Sequence, residues 1–148
     1  MPTRAQVAAG YPNRMRGVTL IELMVVVAIV AILASLAVGS YRRYVLRANR
    51  TDATAALLRI QVAEEKFFLQ NNAYTTQVTV AVLGIASPTP NGFYNLAVAP
   101  GSTGSIATSF SATAAATSTQ TQDTSCLTLT IDDQGLRNSA PSTTECWR

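Results

Sequence analysis

The side chains in this sequence that could take part in chemistry are few. No histidine occurs among the 148 residues, and the only cysteines are Cys126 and Cys146. Ser–His and Cys–His nucleophilic catalysis both need an imidazole, and two thiolates alone cannot complete a tetrahedral zinc site. We therefore expect no catalytic residue, no metal site and no cofactor, and a protein that is not an enzyme.

One carboxylate stands in an unusual place. Glu22 lies near the start of residues 18–38, VTLIELMVVVAIVAILASLAV, where only Thr19, Glu22 and Ser35 interrupt the apolar side chains. A charged side chain at mid-bilayer costs about 2.5–3.5 kcal/mol, so such a residue is functional by default. The alternative is a carboxylate that reaches the headgroup layer and has no further role.

The apolar run around Glu22 has the length of a membrane span. Its 21 residues would extend about 31 Å as a helix, which matches the hydrocarbon thickness of a bilayer and exceeds a secretory h-region. We expect a transmembrane and assembly segment at residues 18–39. One alternative stays open, because Ser35-Leu36-Ala37 has the small-x-small form that signal peptidase accepts. Cleavage after Ala37 would release a secreted binding module.

A second helical pattern follows the apolar run. Apolar residues recur at three- and four-residue spacing between Tyr41 and Phe67, and no Pro or Gly pair separates them from the run. The sequence therefore predicts one helix from about residue 18 to about residue 70, with Asn71 and Asn72 as its stop.

The remainder of the chain, from about residue 73, changes character. Period-two alternation at residues 93–99, 106–112 and 126–131 predicts strands, with a short last strand at 136–138. Residues 113–125, TAAATSTQTQDTS, are low in complexity and are interpreted as a loop or, less simply, a glycosylated patch. The predicted fold class is α+β, a long N-terminal spine α-helix packed on a C-terminal antiparallel β-sheet.

The charge distribution bears on nucleic-acid binding. The chain carries 11 Lys plus Arg against 8 Asp plus Glu, and three of the arginines lie before Gly17. The rest is neutral, which argues against clustered positive surface that releases counterions from phosphates. We expect nucleic-acid binding to be absent or weak.

Arg43, Arg47 and Arg50 share a helix face. They form either a solvated or headgroup-touching stripe, or they pair with acids such as Glu64 and Glu65 on another subunit.

The two cysteines predict a disulfide. A chain whose C-terminal part is exported past a membrane meets an oxidising compartment, and closing a loop of about 20 residues would stabilise the fold by roughly 3 kcal/mol. The alternative is a pair of reduced structural cysteines.

The junction before the apolar run resembles the signature of type IV pilins. Residues 16–23 read RGVTLIEL, a basic leader ending in Gly17, then a hydrophobic residue and Thr-Leu-Ile-Glu. A long spine helix, a sheet and a C-terminal cysteine pair follow, so the resemblance covers essentially the whole chain. The CLTLT sequence at 126–130, GLR at 135–137 and the terminal Cys146-Trp147 look most like minor pilins of the PilE kind.

This resemblance implies a processing and assembly scheme. A prepilin peptidase would cut between Gly17 and Val18, the new terminus at Val18 would be N-methylated, and Glu22 would meet that terminus on a neighbouring subunit. The parts would be a leader at 1–17, the hydrophobic half-helix at 18–39 and a pilin head at 40–148. The implied partners are other pilin subunits, the prepilin peptidase, the bacterial inner membrane and the pilus assembly platform, before an extracellular pilus that serves twitching motility or adhesion.

Some positions depart from the family pattern. Val18 stands where the family most often has Phe, and Gly39 stands where many members have a helix-bending Pro. The 17-residue leader is long, so translation from Met15 is an alternative start. A type II secretion pseudopilin has the same leader and spine and remains a rival, although the cysteine pair favours a pilin.

Overall fold

The computed structural model describes residues 17–143 and 145–147, so the leader before Gly17 and the alternative start at Met15 lie outside the described residues. The elements are described by their order along the chain: α1 (Leu20–Asn71), β1 (Tyr94–Pro100), β2 (Phe110–Ala116), a 3-10 helix (Ser118–Gln122), β3 (Cys126–Asp132) and β4 (Arg137–Pro141). The predicted α+β fold class, one long helix with a C-terminal antiparallel sheet, is confirmed.

The chain divides into two compact units, one ending at Val38 and one beginning at Gly39. In the first unit, every side chain from Gly17 on is exposed. The Thr19 side chain accepts a hydrogen bond from the Glu22 backbone N–H at 3.3 Å, as N-cap residues do. The 18-residue window of highest hydropathy in α1 has a mean hydropathy of 2.8 and none of it is buried, so by length and composition this helix could cross a membrane.

The second unit is built around the part of α1 that follows Gly39. Ala53, Leu57 and Ile60 have no exposed surface and face the buried side of the sheet, in one cluster with Tyr94 and Phe110. Their spacing of three and four residues places them on one side of the helix. The predicted stop is confirmed, since α1 ends at Asn71 and the next residue, Asn72, is left-handed with φ 54°.

The sheet is a simple antiparallel meander in the order β1-β2-β3-β4. Leu96 pairs with Ala114, and Ala114 pairs with Leu129, so these three buried side chains form one row across the sheet. The row belongs to the same buried cluster as the core residues of α1.

The predicted second strand was placed too early in the sequence. Residues 106–109 belong to a turn, β2 runs from Phe110 to Ala116, and the supposed loop at 113–125 contains half of that strand and the 3-10 helix. After Phe110, which is buried, the alternation in β2 is between buried alanines and half-buried Ser, Thr or Ala. A pattern of buried Ala against Thr gives almost no hydropathy contrast, which explains the error.

Both edge strands of the sheet are partly occupied by other segments. On β1, the Ser87 hydroxyl accepts from the Leu96 N–H at 2.8 Å and donates to the Leu96 carbonyl at 3.0 Å. On β4, the Trp147 indole N–H donates to the Asn138 carbonyl at 2.8 Å. The Arg137 guanidinium lies 5.3 Å from the Trp147 ring, which holds that ring at the edge.

A disulfide joins Cys126 and Cys146, 20 residues apart, and both sulfur-bearing residues are fully buried. It ties the start of β3 to the C-terminal turn. The chain therefore has no free cysteine among its described residues.

Candidate functional site

The first candidate site is the start of the apolar segment. Gly17 precedes α1, has no atom within 4 Å of where a Cβ would lie, and is exposed like Val18, so the peptide bond between them is open. Glu22 lies in the first turn of α1. The hydrogen bonds and ion pairs of the described residues do not include its carboxylate.

The second unit carries a further apolar surface, on the helix side that faces away from the sheet. Tyr44, Ala48, Ala55, Leu58, Val62 and Leu69 recur at spacings of three, four or seven residues and are all exposed. Val62 is 71% exposed and Leu69 is 83% exposed. We call these six residues the outer stripe. Since the core residues of α1 occupy the opposite side, this helix is apolar on two faces.

A polar network joins α1 to the 3-10 helix and the turn after it. The Arg50 guanidinium donates to both carboxylate oxygens of Asp123, at 2.7 and 2.9 Å, and both side chains are largely buried. The Gln120 amide donates to the Leu46 carbonyl at 3.0 Å and to Asp123 at 3.2 Å, and Asn49 donates to Gln120 at 3.1 Å. The hydrogen bond to Asp123 raises the pKa of Arg50, so the guanidinium keeps its charge although it is largely buried.

The network also reaches the disulfide-closed segment. Arg50 donates from its second terminal nitrogen to the Glu145 carbonyl at 3.2 Å. Burial raises the pKa of Tyr94, which lies near Asp123, to about 12, so this phenol stays neutral. One arginine on the helix thereby fixes both the segment before β3 and the turn that contains Cys146.

Beside this network lies an open groove of about 650 Å³. Its charged lining residues are three arginines and two acids: Arg43, Arg47, Arg50, Asp123 and Glu145. Arg43 and Arg47 are exposed and take part in none of the hydrogen bonds found among the described residues, whereas Arg50 is held by Asp123. We call this feature the arginine groove.

The structure corrects part of the interpretation of the helix charges. Arg50 is not available to another subunit, because its partner is Asp123 in the same chain. Glu64, offered as an acid for a neighbouring subunit, has no exposed surface and accepts the Thr75 N–H at 3.0 Å. Glu65 accepts the Tyr74 hydroxyl at 3.2 Å but remains exposed. No sequence pattern signalled the pairing of Arg50, since 73 residues separate it from Asp123.

Burial makes Glu64 sensitive to pH. Burial is the main reason that its pKa is raised, the hydrogen bond from Thr75 opposes the shift and nearby Glu65 adds to it. A group with a raised pKa stabilises the fold most when protonated, and that contribution disappears as the pH rises through the folded-state pKa.

We expect Glu64→Gln to raise the melting temperature by a few degrees at pH 7 and to have little effect below the ordinary pKa of glutamate. Thermal unfolding of the full chain in detergent, followed by near-UV circular dichroism at pH 7 and pH 3.5, measures this. An equal effect at both pH values would contradict the titration.

Comparisons with known proteins agree on the class that this fold and this site define, the type IV pilins. Residues 12–38 match the prokaryotic N-terminal methylation motif. A solved structure, a type IV pilin from Shewanella oneidensis, superimposes with a TM-score of 0.50 at 27% identity over 70% of this chain and 98% of its own.

The family assignment rests on the head. Residues 39–130 match the family described as type IV minor pilin ComP, DNA uptake sequence receptor. This match covers more than half of the chain, which therefore belongs to that family of structural pilins and is not an enzyme.

Curated relatives match over about half of the chain. The type IV major pilin protein PilA of Myxococcus xanthus is 37% identical over 42% of this chain and 28% of its own length. The wide pilus major component PilA4 of Thermus thermophilus is 35% identical over 55% and 63%, and the major pilin PilE1 of Neisseria gonorrhoeae is 38% identical over 49% and 43%. The matches thus span less than two thirds of these relatives. What the family match and the methylation motif together establish is that the chain is a type IV pilin.

Proposed function

We propose that a prepilin peptidase cuts this minor pilin between Gly17 and Val18, that Val18 is then N-methylated, and that the subunit passes from the bacterial inner membrane through the assembly platform into an extracellular pilus. There it supports pilus biogenesis and pilus-dependent motility or adhesion. The observation that carries this proposal is the exposed apolar surface of residues 18–38. Such a surface needs either lipid or other helices around it.

The outer stripe supports the assembly step. Burying one Leu, Ile or Val side chain contributes about 1.5–3 kcal/mol, and the stripe offers Leu58, Val62 and Leu69 on the side of α1 that the sheet does not use. A filament whose helices pack along one another would cover both the apolar run and the stripe. In such a filament the sheet of each subunit would lie outside the packed helices.

The charge of Glu22 would set the axial position of one helix relative to its neighbour in this packing. Cleavage after Gly17 creates an ammonium group at Val18, and helix packing would place that group of one subunit near Glu22 of another. At about 4 Å and an effective dielectric constant of about 20, the attraction is about 4 kcal/mol before desolvation is subtracted. A pair of this strength selects one axial position over the others.

The N-terminus of the mature protein tests the processing step. We expect intact-mass and N-terminal peptide analysis of pilus fractions to find a chain that begins at Val18 and carries one added methyl group. A chain that begins at Val38 would contradict the proposal and establish cleavage after Ala37 and secretion. Gly17→Leu serves as the control, because a bulky residue at the open junction should block the cut and leave the leader attached.

The family description also names DNA, and we propose that DNA contact by this subunit is weak. Residues 72–147 carry one basic side chain, Arg137, against four acids, so the sheet and its loops repel phosphates. The basic groups lie on α1, where Arg43, Arg47 and Arg59 are exposed.

Salt dependence tests this. A protein that neutralises three phosphates has a slope of about −3 in log K against log salt and binds non-specific duplex weakly, at about 1–100 µM. We expect fluorescence anisotropy with a short duplex to give values in this range for the full chain in detergent. Nanomolar binding, or a much steeper slope, would contradict the charge argument.

A further inference from the structure

The arginine groove has a composition that suits one small anion. Three arginines and two carboxylates line it, which leaves one net positive charge, and Arg50 and Asp123 already neutralise each other. Arg43, Arg47 and Glu145 are therefore the charged groups left without an ionic partner around an open space of about 650 Å³, among the described residues. The hydroxyl-bearing Thr124 and Ser125 also line the groove, together with Leu46 and Gln122. A phosphodiester that also carries hydroxyl groups can satisfy both kinds of lining residue, the guanidinium donors and the acidic acceptor.

The position of the groove in the sequence indicates where such an anion comes from. Arg43 follows Val38 by only five residues, so chain connectivity alone keeps it within about 18 Å of the end of the apolar run. Headgroup layers occupy several ångströms on each side of the hydrocarbon. Tyr41 and Tyr44, at 69% and 71% exposure, flank Arg43. Exposed tyrosines next to an apolar span are typical of residues at the membrane–water interface.

From this juxtaposition we infer that, before assembly, the arginine groove binds the headgroup of an anionic glycerophospholipid, phosphatidylglycerol, with the phosphate between Arg43 and Arg47. The bound lipid holds the second unit against the membrane surface while the subunit waits there. Incorporation into a filament then requires release of this lipid. The inference needs only that the chain resides in a membrane, and it goes beyond the role proposed above.

A duplex nucleic acid suits the groove less well. A phosphate backbone presents many charges in a row, and Asp123 and Glu145 lie on the same lining as the arginines. One headgroup phosphate can avoid those acids, whereas a long polyanion cannot.

Lipid binding to the purified full chain in detergent tests the inference. Native mass spectrometry during titration with phosphatidylglycerol or phosphatidylcholine measures the affinity ratio for the two lipids. Each basic side chain near an anionic lipid changes affinity by a factor of about five, so we expect Arg43→Gln with Arg47→Gln to lower that ratio about 25-fold. The matched control is Arg59→Gln with Lys66→Gln, which removes the same charge from exposed positions outside the groove.

Several results would overturn the inference. An unchanged ratio in the groove variant would do so, and so would an equal loss in both double variants, because the second result means unspecific charge attraction. Preferential binding of a 20-base-pair duplex that is lost with Arg43 and Arg47, while lipid binding persists, would assign the groove to nucleic acid. If the groove variant does not fold, Thr124→Glu replaces it, because this change adds a carboxylate at an exposed turn residue of the groove. An unchanged affinity ratio for the two lipids in Thr124→Glu would equally refute the inference. Incorporation into pili is measured separately, so a failed lipid test leaves the proposed function standing.

Discussion

Glu22→Ala should still insert into the membrane and still be cut after Gly17, while its amount in sheared pili falls by about tenfold or more. The reason is that alanine removes a burial cost in lipid but leaves the neighbouring ammonium at Val18 unmatched in the fibre. A net loss of about 1.4 kcal/mol suffices for a tenfold change. Glu22→Gln should be intermediate, since it keeps a hydrogen-bond acceptor and loses the charge.

Immunoblots of membrane and sheared-pilus fractions measure this difference. Ser35→Ala is the matched control, because Ser35 is another polar residue of the run and its hydroxyl only donates to the Ile32 carbonyl of its own helix. We expect it to assemble like the wild type. Equal amounts of the Ala, Gln and wild-type chains in sheared pili would show that Glu22 has no part in register.

Asp123→Ala should destabilise the second unit by about 3–5 kcal/mol, the usual cost of removing one partner from a buried ion pair. The substitution leaves the Arg50 guanidinium without its two carboxylate contacts and removes an acceptor from Gln120. Chemical denaturation of the full chain in detergent measures the change in the free energy of unfolding.

A double-mutant cycle shows whether the pair itself is responsible. Arg50→Ala with Asp123→Ala should cost less than the sum of the two single changes, because no unpaired charge remains buried. Asp133→Ala, at a half-exposed turn position, is the control and should change stability by less than about 0.5 kcal/mol. Additive effects of the two single changes would show that Arg50 and Asp123 are not coupled.

The sequence predicts the long elements well because their patterns have high contrast. The helix from 18 to 70 rests on a 21-residue apolar run and on sustained three-and-four spacing, and the structure places α1 at Leu20–Asn71. β3 was predicted within one residue at its end, since Leu and Thr alternate there. β2 was misplaced because Ala and Thr differ too little in hydropathy to show which face is buried.

The functional residues divide in the same way. Gly17, Val18 and Glu22 are local, within one short motif, so a single sequence indicates them, and their roles in cleavage, methylation and register stay predictions. The cysteine pair needed no spatial information, because only two cysteines exist. The Arg50–Asp123 contact and the arginine groove bring together residues more than 70 positions apart. Periodicity along one element contains no signal for such contacts.

The occupied edges of the sheet constrain how a subunit can join others. An open edge strand offers a row of unpaired backbone groups to which any extended chain can add. The side chains of Ser87 and Trp147 bind some of those backbone groups, on β1 and β4 respectively, within the same chain. Growth by strand addition, which is tight and hard to reverse, is thereby discouraged, and this favours the helix packing proposed above as the contact between subunits. In the proposed fibre, neighbouring subunits would then be joined by apolar side chains of their helices and not by shared backbone hydrogen bonds.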